Sequence, residues 1–194
     1  MTTKKLGKAQ KASILAISAA LYAVFFFLSG LIAVPSFTIL YLPIILLGVF
    51  PLWFGLSGLV GSMIGAFIGG AFVEGLGFLG LFESVTAFIT YVLNWALIPR
   101  KATEGGNKRS LFLLLGVYAL TLFAGTSYIL WQYTVLPQLF SASEAIVILL
   151  PTFALNLVIE SIICPVLIRT LTPRLRIWGI YSGNFKDWLS QNLK

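Results

Sequence analysis

Apolar residues run along this chain in long blocks, and the blocks are broken by Gly, Pro and short polar clusters rather than by a regular charged face. A helix needs about 20 mostly apolar residues to cross the roughly 30 Å hydrocarbon layer of a bilayer, and such stretches recur here. Interruptions at VPSFT, FPLWFG, GLGFLG, PRKATEGGNKR and PQLFSAS divide the sequence into six predicted helices, residues 12–33, 40–54, 55–79, 82–98, 111–136 and 144–171. The second is short, near 22 Å at about 1.5 Å per residue. It contains Pro43 and Pro51, so a tilted, kinked or partly protein-enclosed segment is expected.

Composition places the chain in the same class. Of 194 residues 59% are hydrophobic and 10% charged, which is the profile of an all-α integral membrane protein. The net charge of +7 could suggest nucleic acid in a soluble chain. Here the basic residues fall in three clusters that flank apolar spans, the pattern of topology determinants, so no nucleic-acid partner is expected. Lys4, Lys5, Lys8 and Lys11 precede the first span; Arg100, Lys101, Lys108 and Arg109 lie in one loop; Arg169, Arg174, Arg176, Lys186 and Lys194 close the chain. If all three clusters are cytoplasmic, even numbers of crossings separate them. That predicts a six-transmembrane-helix bundle over residues 1–172 with both termini inside, followed by a cytoplasmic interfacial amphipathic tail over 173–194. The apolar stretch after KKLGKAQK exceeds the roughly 7–15 residues of a cleaved signal's apolar region, so it reads as a retained first helix.

Residues 48–70, GVFPLWFGLSGLVGSMIGAFIGG, hold seven glycines. Gly55, Gly58, Gly61, Gly65 and Gly69 fall on one third of a helix circumference. In lipid, close backbone approach through small residues replaces the hydrophobic drive for helix association, so this smooth stripe marks a helix pressed against a neighbour. The first helix carries a comparable face with two A-x-x-x-A pairs, Ala16/Ala20 and Ala19/Ala23. Spacing alone leaves open whether these faces pack within the bundle or dock a partner.

The later helices carry polar faces instead: Ser84, Ala87, Tyr91 and Asn94; Tyr118, Thr121, Gly125, Tyr128 and Gln132; Thr152, Asn156 and Glu160. Polar groups facing hydrocarbon are costly, so three such faces are expected to turn toward one another or toward a wet cavity. An ionised Glu160 near mid-membrane would cost roughly 2.5 kcal/mol or more. It reads either as a protonated or hydrogen-bonded structural residue or as a ligand group. Glu74, Glu83, Glu144 and Glu160 lie where the predicted topology leaves no Lys or Arg, while Glu104 and Asp187 are cytoplasmic. With Tyr91, Tyr128, Trp131 and Tyr133 in the same region, a small planar ligand that is neutral or cationic suits the site better than a carboxylate. Trp131 and Tyr133 equally fit an interfacial aromatic belt. The candidate substrate-binding residues are Glu83, Ser84, Tyr91, Tyr128, Trp131, Gln132, Thr152, Asn156 and Glu160. With no His and one Cys, Cys164, no metal site, cofactor or catalytic set is expected.

Three stretches carry a resemblance to a known family: ILAISAALYAVFFFLSG in the first helix, LPIILLGVFPLWFGLSGLVGSMIGAFIGG across the second and third, and NLVIESIICPVLIRTL near the C-terminus. Together they resemble the substrate-binding S components of energy-coupling factor (ECF) vitamin transporters, over nearly the whole chain. The resemblance implies a prokaryotic plasma-membrane protein that captures a vitamin-like micronutrient from outside and docks to a transmembrane T component and two cytoplasmic ATPases. It makes Ala16, Ala19, Ala20 and Ala23 docking candidates. It also puts the pocket between the outer halves of the last three helices, under the VPSFT loop. The chain has no G-x-x-x-x-G-K-[ST] phosphate loop, so ATP hydrolysis would belong to partners. The competing readings are a structural subunit of another membrane complex and, with less support, a membrane-embedded enzyme.

Overall fold

The structure, a computed structural model, describes residues 6–32, 40–73, 78–99, 108–135 and 141–192. The VPSFT loop, Glu74, Glu104, Lys4, Lys5, Arg100, Lys101, Lys194 and the side chain of Tyr133 lie outside what is described. Six helices follow in order: α1 (Lys8–Leu31), α2 (Pro43–Val73), α3 (Phe78–Leu97), α4 (Lys108–Val135), α5 (Ala142–Ile177) and the short α6 (Phe185–Asn192). Each of α1 to α5 contains a stretch long and apolar enough to cross a membrane. Large apolar side chains such as Ile17, Phe27, Phe72, Phe112, Val147 and Ile162 point outward with more than half their surface open, as a lipid-facing surface requires and a soluble monomer avoids.

The boundary expected between the second and third predicted helices is a break inside α2. Gly55 has φ 50 and ψ −132, outside helical space, a conformation that only Gly adopts at little cost. Residues on either side form two arms, 43–54 and 56–73. Both outer ends of α2 return to the last turns of α1: Leu42 N donates to Ser29 Oγ at 2.9 Å, and a Cβ on Gly30 would lie 2.9 Å from Val73 Cγ1. The chain therefore reverses at Gly55.

A helix broken this way leaves carbonyls without their usual donors four residues on. Four donors from elsewhere supply them. Pro51 has no N–H for the Leu47 carbonyl, and Asn94 Nδ2 donates to that oxygen at 3.1 Å. Tyr91 Oη donates to the Phe50 carbonyl at 3.0 Å and the Gly55 carbonyl at 2.6 Å. Ser182 N donates to the Leu52 and Trp53 carbonyls at 3.2 and 3.0 Å, and Gly183 N to Leu52 at 2.9 Å.

The last of these contacts comes from the C-terminal segment. α5 does not stop before Pro173 but continues to Ile177. The chain then folds back across the Gly55 end of the bundle rather than lying apart from it. Trp95 Nε1 donates to the Gly183 carbonyl at 3.0 Å, and the Trp95 ring meets Phe185 and Trp188 at centroid distances of 5.3 and 5.2 Å. Arg176 lies 4.6 Å above the Tyr181 ring. Unpaired carbonyls and an indole N–H at the break attract this segment, and polar groups of that kind are invisible in its own composition. Replacing Gly55 by Ala forces a side chain into that conformation and against Ser182 Oγ. We expect a loss of about 1–3 kcal/mol, read as an earlier thermal midpoint in detergent. An unchanged midpoint would refute the strain assignment.

The glycine stripe packs against α1. Cβ atoms placed on Gly61 and Gly65 would lie 2.5 Å from the Leu15 and Ala19 carbonyl oxygens, and one on Gly69 2.6 Å from Phe26 Cβ. These pairings rise together along both helices, so α1 and residues 56–73 run parallel, side by side. α3 pairs antiparallel with that arm, through Ser84 Oγ to the Met63 carbonyl at 3.0 Å. α4 is antiparallel to α3, and α5 runs parallel to the first arm, from Asn156 beside Tyr41 to Thr172 beside Trp53. Lys8, Lys11, Lys108, Arg109, Arg169, Arg174, Arg176 and Lys186, the Lys and Arg among the described residues, consequently gather toward the Gly55 end.

Candidate functional site

Polar side chains that the predicted topology would leave in hydrocarbon converge between the first arm of α2 and helices α3, α4 and α5. Nearest the Tyr41 end, the Tyr22 and Tyr41 hydroxyls share a 2.7 Å hydrogen bond. Tyr41 Oη also donates to Glu83 Oε2 at 3.4 Å, and Tyr41 N donates to Asn156 Oδ1 at 2.9 Å. Asn156 Nδ2 in turn donates to the Thr152 carbonyl at 2.8 Å. Tyr128 on α4 is within electrostatic range of Glu83. One turn farther along α4, Gln132 is fully buried, and neither amide atom has a hydrogen-bond partner.

Deeper in the bundle, Glu160 follows Asn156 by one turn of α5 and is fully buried. It sits against Gly48: a Cβ there would lie 3.0 Å from Glu160 Oε1 and 2.7 Å from Cys164 Sγ. The donors around the carboxylate point elsewhere. Tyr118 Oη donates to the Gly48 carbonyl at 3.4 Å, Cys164 Sγ to the Ile45 carbonyl at 3.5 Å and Asn94 Nδ2 to the Leu47 carbonyl. The Asn94 amide also faces Glu160 but does not reach hydrogen-bond geometry, and both carboxylate oxygens are left without a partner. Thr121 Oγ1 completes the level, donating to Asn94 Oδ1 at 3.0 Å. α4 comes close to α3 at Gly125, where a Cβ would lie 2.8 Å from Thr90 Oγ1.

The structure thus brings Glu83, Tyr128, Thr152, Asn156 and Glu160, five of the nine candidates, onto one polar column, with Gln132 buried beyond its Tyr41 end. Ser84 and Tyr91 turn the other way, their hydroxyls bonded to α2 carbonyls. Trp131 is exposed, its ring 5.7 Å from that of Tyr128, as a belt residue would be. Glu144 is also exposed, ahead of the apolar stretch of α5. Its carboxylate accepts from Ser141 N at 2.9 Å and Ser141 Oγ at 2.6 Å, capping bonds that hold its carboxyl below the ordinary range. Tyr22, Tyr41, Thr86 and Thr90 were not among the candidates. Thr86, Thr90 and Asn94 recur every four residues along α3 and are all buried, a spacing that could have revealed them. Tyr41 sits just ahead of a helix, where periodicity gives no signal.

Among the described residues no group of His, Cys, Asp and Glu could hold a metal ion. What the column offers is acceptors and hydroxyls at several depths. Comparison with known protein families, with curated proteins and with solved structures returned no match.

Proposed function

We propose that the chain is the membrane-embedded capture subunit of an ECF-type transporter, taking up a small vitamin-like molecule from outside a prokaryotic cell. In this reading the bundle crosses the plasma membrane six times, α2 contributing one crossing on each side of Gly55, with the Gly55 end and both termini in the cytoplasm. The grouping of basic residues at that end supports the orientation. The arm 43–54 measures only about 18 Å, yet residues 43–53 are all buried. An enclosed arm need not match the lipid thickness.

Four fully buried side chains have no partner among the described residues, Ser18, Ser62, Gln132 and Glu160. The observation that carries the function is that the two with the most polar atoms, Gln132 and Glu160, lie at and beyond the two ends of a polar column. A small Ser hydroxyl is tolerated at a close helix contact, but unmet amide and carboxylate groups are costlier, about 1–3 kcal/mol each or more for a charged group. A bound molecule that meets them removes the cost. Docking to a T component falls to α1, where Ala16 and Ala20 face outward beside Ile17 and Val24, while Ala19 and Ala23 are partly covered. ATP hydrolysis belongs to separate subunits.

Affinity-tagged protein purified from its native membrane should bring down an integral partner, ATPases and a small molecule, all visible by native mass spectrometry. Changing Ala16 and Ala20 together to Trp should cut partner recovery and uptake by about 10-fold or more while leaving the small molecule bound, since overpacking one face costs about 1–3 kcal/mol. Unchanged recovery and uptake in that variant would remove the docking assignment. A preparation with no small molecule and no ATPase would remove the capture reading itself.

A further inference from the structure

The buried carboxylate near mid-bundle constrains the chemistry of what binds. We infer that Glu160 is the countercharge for a positively charged nitrogen on the captured molecule, an ammonium, amidinium or ring cation bearing N–H donors or a diffuse charge. This rests on the capture reading and narrows it to one substrate class.

Three observations lead there. The described residues supply no cation there: no Lys, Arg or His occurs between residues 12 and 99 or between 110 and 168, and the described basic residues gather toward the Gly55 end. Among the described residues few donors are left for it. Tyr118 and Cys164 flank the carboxylate but direct their single hydrogens to the carbonyls of Gly48 and Ile45. Asn94, with one N–H on the Leu47 carbonyl, has only its second N–H to turn toward Glu160, a neutral donor and not a countercharge. Finally, both Glu160 oxygens remain unpartnered in a fully buried residue. An ionised carboxylate is stable in such a place only when paired and hydrogen-bonded, so the charged form of Glu160 calls for a cation that the described residues do not provide. A ring cation also finds Tyr118 beside it, since Tyr118 Cε1 and Glu160 Oε1 both flank Gly48, and aromatic faces attract cations.

An anionic or purely neutral molecule fares worse here. An anion adds like charge beside Glu160 and, at the Tyr41 end, beside Glu83. A neutral molecule leaves an ionised Glu160 without a counterion.

The test uses the purified full chain in detergent, incubated with the low-molecular-weight fraction of yeast extract, washed, and analysed for retained compounds by mass spectrometry and capillary electrophoresis. We expect wild type to retain a compound that migrates as a cation at neutral pH. Glu160→Gln should cut that retention by about 30-fold or more, the size expected when one member of a buried charge pair is neutralised. Glu160→Asp should recover part of it. A retained compound that is neutral or anionic overturns the cation assignment while leaving capture intact. Equal retention by a folded Glu160→Gln variant overturns the role of Glu160, and should that variant not fold, the charge of the wild-type compound decides alone. Retention of nothing by wild type overturns both the inference and the capture reading beneath it.

Discussion

Gly65→Leu, alone or with Gly61→Leu, loses most of the stability of the α1 and α2 pair. A Cβ at either position would meet a backbone carbonyl of α1 at 2.5 Å, and a carbonyl held in its own helix cannot rotate away as a side-chain tip can. Overpacking typically costs 1–3 kcal/mol, and with main chain on the opposing side we expect about 3 kcal/mol per site, near the upper limit. For a chain of this size that is roughly a 6–12 °C fall in Tm. Cys164, the single cysteine and fully buried, is a built-in reporter, because a thiol-reactive dye labels it only on unfolding. Gly116→Leu is the control, since nothing lies within 4 Å of a Cβ placed there. Equal losses at Gly116 and Gly65 would show that close approach contributes nothing and that glycine's role is backbone freedom alone.

Trp95→Ala should cost about as much at the opposite end. Filling the space between α3 and the C-terminal segment, Trp95 is 3% exposed and makes a hydrogen bond to Gly183 as well as ring contacts to Tyr91, Phe185 and Trp188. Large aromatic truncations in cores cost about 3–5 kcal/mol, whereas Trp95→Phe should lose mainly the hydrogen bond, about 1 kcal/mol. Ending the chain after Ile177 removes the same contacts from the other side and uncovers the Leu52 and Trp53 carbonyls. The two changes should therefore not add: Trp95→Ala in the shortened chain should cost much less than in the full one. Additive losses would mean that the segment and Trp95 stabilise the protein separately.

Sequence patterning reached the helical class, the long apolar spans and three polar faces, because each depends on local periodicity. It also placed a boundary near Gly55, though not as a reversal within one continuous helical stretch. What it could not reach are relations between distant segments. The glycine stripe is legible as a face, but its partner is α1 only because the chain doubles back at Gly55. Pro51 and Asn94 each look like local oddities, and their pairing across α2 and α3 shows that Asn94 supports the backbone. Ser84 and Tyr91 share a helical face with Asn94, yet their hydroxyls serve α2 carbonyls. Thr86 and Thr90, one position away, carry the buried polar edge instead. In the tail, aromatic and basic residues have the same composition whether they lie on a membrane or cover the end of a bundle. Trp178 is exposed and Trp188 is packed on Trp95, so both environments occur within one short segment.

The parallel pairing of α1 with residues 56–73 sets an order on biogenesis. Neighbours that run the same way cannot be joined by a tight hairpin, so α1 emerges from the ribosome and enters lipid well before the surface that will hold it has been made. Until residue 73 is synthesised, its Ser18 and Tyr22 side chains face lipid or transient company. Only insertion of the intervening segment brings the glycine stripe alongside. A chaperone or insertase that shelters the first helix during that interval would raise the yield of folded protein. Slowing translation before residue 73 would lower it.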